Sequence, residues 1–213
     1  MKQTILFDLD GTLIDSTSAI LNSFQGALKT LKLSVKNNEE IKRLIGYPLE
    51  QMFSMLYPDK VSFSKEFILA YREIYTQIYL EQTTLLPKVK EALELGDKIA
   101  DLGIVTTKGG QFTPILLDYL GVRKFFKTLI TFDDVTKPKP DAQPIILALK
   151  RLNKTQENAY MIGDTMLDVK AAISAKITPL ALSCGYGDEE KLKTYARVFL
   201  SAYDAVDYIA KLK

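Results

Sequence analysis

Histidine is absent from all 213 residues. That excludes Ser-His-Asp and Cys-His catalysis, a histidine general base, and histidine-ligated zinc, copper or iron. Cysteine occurs once, at Cys184. One thiol excludes a disulfide within the chain and any multi-cysteine metal site, and it fits a reducing, cytoplasmic compartment. Neither charge sign dominates: 28 Lys and Arg stand against 26 Asp and Glu, and the basic residues are dispersed. A nucleic-acid surface needs them clustered, so no nucleic-acid partner is expected. No uncharged run approaches the ~18 residues of a membrane span. The opening MKQTILFDLDGTLID reaches Asp8 before the apolar region of a signal peptide is complete. What remains for chemistry is carboxylates, hydroxyls, lysines and an oxygen-loving metal. Hydrophobic residues make up 47% and charged residues 25%, enough for an unstapled core.

Thr4-Ile5-Leu6-Phe7 is a short apolar run closed by Asp8-Leu9-Asp10-Gly11-Thr12, which reads as a buried strand and its turn. From Ser16 the period becomes helical, with Ile20, Phe24, Ala27, Leu28 and Leu31 on one face and Ser16 or Asp15 as N-cap. Two short helices broken at Gly46-Tyr47-Pro48 and a long one carrying Phe67, Tyr71, Ile74, Tyr75 and Ile78 follow. After about Thr83, helices alternate with strands at Leu102–Thr106, Thr128–Phe132, Ala159–Ile162 and Ile177–Leu182, and two helices near 188–196 and 203–212 end the chain. Such alternation predicts an α/β fold, a doubly wound parallel sheet. Residues 1–15 and 83–213 form the core, and the all-helical 16–82 is a second domain inserted after strand one.

In open α/β sheets, sites form at the carboxyl ends of the strands. Four strand ends carry chemistry: Asp8-x-Asp10, Thr106-Thr107-Lys108, Asp133-Asp134 leading to Lys137-Pro138-Lys139-Pro140, and Gly163-Asp164-Thr165-Met166-Leu167-Asp168. Each has a plainer alternative alone. Asp8 and Asp10 can end a strand and cap a turn, Thr106 can be a strand residue, and Asp164 can cap a helix. Lys108 and Asp133-Asp134 read as solvated charge or local support, and Lys139 as part of an extended surface linker.

DLDGT, a hydroxyl after strand two, Lys before Pro, and GDxxxD, in that order, resemble the haloacid dehalogenase superfamily. The helical insert resembles the type-one cap of its phosphoglycolate phosphatase and β-phosphoglucomutase branch. The resemblance spans essentially the whole chain. It implies a Mg²⁺-dependent phosphatase acting on a small phosphate ester through an aspartyl-phosphate. Asp8 would be nucleophile and metal ligand. Asp10 would be acid and base, its carbonyl on the metal. Thr106, with Thr107, would bind the phosphoryl group and Lys137 would neutralise it. Asp164 would bind Mg²⁺, and Asp168 would hold a metal water or Lys137. Arg43 and the turn after it would face the substrate, or Arg43 would be a solvated helix charge. Tyr71 and Tyr75, two of five tyrosines in 16–82, would pack first and recognise second. Phosphoglycolate is the default substrate of that branch. Its pyrophosphatases and sugar phosphomutases stay open, as do a signalling phospho-acceptor and a catalytically silent scaffold. A monomer is expected.

Overall fold

The structure, a computed structural model, describes residues 2–212. In chain order the elements are β1 (Gln3–Phe7), β2 (Ile14–Asp15), α1 (Thr17–Thr30), α2 (Asn38–Lys42), α3 (Leu49–Leu56), α4 (Ser64–Ile78), β3 (Thr84–Leu85), α5 (Val89–Ile99) and β4 (Ala100–Val105). There follow α6 (Thr113–Tyr119), β5 (Phe126–Ile130), α7 (Gln143–Leu152), β6 (Ala159–Gly163), α8 (Met166–Ser174), β7 (Thr178–Leu182), α9 (Glu189–Tyr195), β8 (Arg197–Phe199) and α10 (Ala202–Ala210).

Six strands form one parallel sheet in the order β5-β4-β1-β6-β7-β8. The first strand lies inside the sheet because both of its faces are apolar. Side chains alternate along a strand: Ile5 and Phe7 join the cluster that holds Leu93 of α5 and Val206 of α10. Leu6, between them, joins Ile145 and Leu149 of α7 and Ala171 of α8 on the other face. The expected doubly wound sheet is therefore present, with helices on both sides.

Between β2 and β3 the chain is helical. Ile14 pairs with Leu85 and Asp15 with Thr84, antiparallel, so the segment leaves and re-enters at one place. Its interior is aromatic: Phe67 lies 4.6 Å from Phe24 and 4.4 Å from Phe53, centroid to centroid. The tyrosine stripe stacks as Tyr71, Tyr75 and Tyr79 at 5.4 and 5.3 Å. All three are buried, as the helical spacing predicts. Among the described residues no helix is long and apolar enough to cross a membrane.

Details of three strands depart from the sequence reading, β4 among them, which runs Ala100–Val105 where Leu102–Thr106 is expected. β8 falls in the gap between the last two helices, too short at three residues to show a period. β5 spans Phe126–Ile130, two residues earlier than expected at each end, because the chain enters it directly from a tight turn at Arg123–Phe125. Of the two N-cap candidates for α1, Asp15 is the one whose side chain bonds: its Oδ1 accepts from the Thr17 N–H at 3.0 Å, while the Ser16 hydroxyl makes no cap bond and donates to Asp10.

Candidate active site

The carboxyl ends of β1, β4 and β6 and the loops after β5 and β7 meet on one rim. Asp8 follows β1 directly, its N–H donating to Ile162 O of β6 at 2.9 Å. Asp164 follows β6, and Asp168 lies one turn into α8. One carboxylate oxygen from each of Asp8, Asp164 and Asp168 falls within 4.8 Å of the others, and all three residues are buried.

Among the described residues one ammonium serves this cluster, and it is not the expected one. Lys139 Nζ lies 2.8 Å from Asp8 Oδ1 and 2.5 Å from Asp168 Oδ1, with its side chain 2% exposed. Lys137 is exposed, and its backbone N–H bonds Gln143 Oε1 at 2.7 Å. The place assigned to Lys137 thus belongs to Lys139, which was read as a linker residue. The sequence offers two Lys-Pro pairs in succession, and only the path of the loop selects between them. Two residues along an extended chain also point the same way, so alternation gives no help.

Asp168 is fully committed. Its Oδ1 holds Lys139, while its Oδ2 accepts the Thr165 N–H at 3.0 Å and the Thr165 hydroxyl at 2.7 Å in a reciprocal helix cap. It therefore positions Lys139, where Lys137 or a metal-bound water was expected. Asp164 Oδ1 accepts from the Thr12 hydroxyl at 2.8 Å, and its Oδ2 from the Tyr186 N–H at 2.7 Å. The glycine before that tyrosine is forced, since a Cβ on Gly185 would collide with the Asp164 carboxylate. Gly11, at φ +81°, makes the turn that returns Thr12 to Asp164. Thr12, Gly185 and Tyr186 were not foreseen. The Thr of DLDGT was legible as part of a motif, but the one acid of the loop after β7, Asp188, caps α9 and does not mark Gly185 or Tyr186.

Burial dominates the electrostatics. It pushes the Asp8 carboxyl up to about 7, against the pull of Lys139 and with the repulsion of Asp168. Asp164 is held well above the ordinary aspartate range, first by burial and then by the Asp8 and Asp168 carboxylates. Burial works against the Lys139 ammonium, but Asp168 and Asp8 more than offset it and hold it above the ordinary lysine value. Three carboxylates around one ammonium leave two negative charges uncompensated if all ionise. Such an all-oxygen donor set suits a hard divalent cation.

Asp10 faces the other way, onto a cavity of about 330 Å³ between the rim and the helices. Its Oδ1 lies 3.1 Å from Lys108 Nζ and accepts from the Ser16 hydroxyl. Lys108 is not the solvated charge expected. Its side chain is 7% exposed, and its ammonium also donates to the Tyr75 hydroxyl at 2.7 Å. Burial opposes that ammonium, yet Asp10 and then the Tyr75 and Tyr71 hydroxyls raise its pKa above the ordinary value. Thr106 is buried at the end of β4, and its hydroxyl accepts from the Lys108 N–H at 3.2 Å. Thr107 instead ties rim to helices, its hydroxyl donating to Gly46 O at 2.8 Å. Arg43 is exposed at the end of α2 and does not line the cavity, whereas Arg72 of α4 does. A helix repeats every 3.6 residues, but which long helix turns a cation to the cavity depends on packing between helices. Asp133 and Asp134 are local support: Asp133 accepts from the Gly110 N–H at 2.6 Å, and Asp134 pairs with Arg151 at 2.7 Å.

A parallel sheet that buries acid residues at its carboxyl rim, opposite a roofed cavity, is the layout of an α/β hydrolase that works with carboxylates rather than histidine. Over residues 5–182 the chain matches the haloacid dehalogenase-like hydrolase family, and it belongs to that family. Pyrophosphatase PpaX of Oceanobacillus iheyensis is 35% identical over 194 residues, which cover 91% of this chain and 89% of the relative. Pyrophosphatase PpaX of Bacillus velezensis is 39% identical over 172 residues, 80% of this chain and 78% of the relative. Among solved structures, a haloacid dehalogenase-like family hydrolase from Streptococcus pneumoniae is 29% identical, covers 97% of this chain and 98% of its own, and aligns with a TM-score of 0.85.

Proposed function

We propose that the protein is a Mg²⁺-dependent phosphatase that hydrolyses a small phosphorylated metabolite through an aspartyl-phosphate on Asp8. The observation that carries this reading is Asp8 itself, buried against Lys139, with Asp10 two residues on lining a cavity. An oxygen of Asp8 forms a bond to phosphorus while the bond from phosphorus to the leaving oxygen breaks. Asp10 gives that oxygen its proton. Asp10 then takes a proton from water as the water oxygen attacks phosphorus, which frees phosphate and restores Asp8. Thr106 donates to a phosphoryl oxygen, and Lys139 offsets the charge gathered there. Asp8, Asp164 and the Asp10 carbonyl would hold Mg²⁺, which supplies further charge neutralisation. Residues 16–82 act as a cap over a core of 1–15 and 83–213, and closure keeps bulk water from the phosphoryl group.

Metal removal tests the reading. Phosphate release from a panel of small phosphate esters is expected to vanish after exhaustive EDTA treatment and return with Mg²⁺. Ca²⁺, which takes more ligands at longer range, is expected to inhibit. Mg²⁺ at about 100 times its dissociation constant should stabilise the fold by roughly 2.7 kcal/mol, read as a rise in Tm. Full turnover without metal would remove Mg²⁺ from the reading.

Pyrophosphate is the second substrate reading, favoured by the names of the two PpaX relatives. It enters the same panel, with orthophosphate as readout. Labelling of Asp8 without net phosphate release would point to a mutase instead.

A further inference from the structure

The cavity carries information about the leaving group, because Asp10 lines it and Asp8 does not. A phosphoryl group attacked by Asp8 would therefore turn its leaving side toward this space. At about 330 Å³ the volume lies within the ~300–1,000 Å³ range of small-molecule pockets. A leaving phosphate or a glycolate has only a handful of heavy atoms and would fill little of it. The walls are largely carbon: Ile20, Ile45, Met52, Ile68, Tyr71 and Phe112.

The charges around the cavity nearly balance. Lys108 and Arg72 are opposed by Glu50 and by Asp10, and one positive charge is left while Asp10 holds the proton it gives to the leaving oxygen. The deepest cation is also mostly spent. An ammonium has three N–H donors, and those of Lys108 already serve Asp10 at 3.1 Å and the Tyr75 hydroxyl at 2.7 Å. Arg72 and Glu50 are exposed at the mouth. A charged leaving group would thus meet mostly carbon walls, with one free donor on the buried ammonium and the other cation exposed beside Glu50, and burying charge with few partners is costly.

We propose that the substrate is the phosphomonoester of an uncharged, carbon-rich alcohol with few hydroxyls, whose body packs on the apolar walls while Lys108 spends its third donor on an oxygen near the ester. This rests on the phosphatase reading above and narrows it, away from pyrophosphate and from carboxylated esters.

The experiment measures kcat/KM with Mg²⁺ for benzyl phosphate, cyclohexylmethyl phosphate, phosphoglycolate, glucose 6-phosphate and pyrophosphate. The two hydrophobic esters and glucose 6-phosphate are all phosphates of primary alcohols. Differences among those three therefore report the cavity rather than the chemical step. Benzyl and cyclohexylmethyl phosphates are expected to exceed the other three by about tenfold or more, since their carbon bodies leave water for the apolar walls. Glu50→Gln removes one negative charge from the cavity at an exposed position where folding is not at stake. It should raise the ratio of kcat/KM for phosphoglycolate over benzyl phosphate by about threefold. Preference for pyrophosphate, phosphoglycolate or glucose 6-phosphate would overturn the substrate class and leave the phosphatase reading standing. Failure to hydrolyse any of the five, with no phosphoryl adduct from an activated aryl phosphate, would overturn the phosphatase reading itself.

Discussion

Lys139→Met is expected to lower kcat by about 10²–10³ or more, the usual cost of removing a charge-stabilising group from a site that excludes water. Lys137→Met, two residues away, is expected to stay within about twofold of wild type, as exposed substitutions generally do. The contrast follows from burial. Among the described residues Lys139 is the one ammonium against Asp8 and Asp168, and without it three buried carboxylates face each other. Breaking a buried pair this way costs roughly 3–5 kcal/mol, so the metal-free variant should also melt earlier. Lys139→Arg keeps the charge and separates the two effects: it should recover stability more fully than rate, because the larger planar guanidinium, with its donors in a fixed fork, does not put its charge where the compact ammonium sits between Asp8 and Asp168. Steady-state kinetics with thermal melts of the same preparations checks all three. A large loss in Lys137→Met with little change in Lys139→Met would mean that the loop after β5 is placed wrongly.

Asp8→Asn is expected to abolish turnover while making the metal-free protein more stable. The amide keeps the shape, is a poor nucleophile and carries no charge. The stability gain has a definite pH dependence. Burial raises the Asp8 carboxyl to about 7. Between the ordinary aspartate value and about 7, the folded chain holds a proton there that the unfolded chain has released. Stability of metal-free wild type therefore falls as pH rises through that window. Asp8→Asn has no such proton to lose, so its Tm advantage should be small near pH 4 and largest at pH 8. For a chain of this size each kcal/mol is worth roughly 2–4 °C. Melting both proteins in EDTA across that range gives the comparison. A variant less stable than wild type at pH 8 would show that Asp8 carries no buried charge in the folded protein.

Much of the rim was legible because its residues sit at fixed offsets from strand ends. Asp8 and Asp10 follow β1, Thr106 follows β4, and Asp164 follows β6, and parallel strands bring such positions together by construction. The helical insert was legible from the change of period at Ser16. Residues that depend on the path of a loop were not. Lys137 and Lys139 present the same Lys-Pro signal, and the fold buries the second. Lys108 looked like loop charge because nothing in its neighbourhood shows that Tyr75, 33 residues earlier, would close over it. Arg43 and Arg72 are both helix cations, and only packing decides which one borders the cavity. Tyr186 acts through its backbone N–H, a group every residue but proline carries, so its side chain gave no sign of the role.

The most direct test is whether Asp8 carries the phosphoryl group during turnover. Asp10→Asn removes the acid and base while leaving Asp8 and Lys139 in place, and loss of such a group typically slows catalysis by about 10²–10⁴. An activated aryl phosphate needs little protonation to leave, so the first step should proceed and the second should stall. Intact-mass analysis after rapid mixing with Mg²⁺, followed by peptide mapping, is expected to find one phosphoryl group per chain, on Asp8. Release of phosphate by Asp10→Asn at wild-type rates, with Asp8 never labelled, would contradict the mechanism.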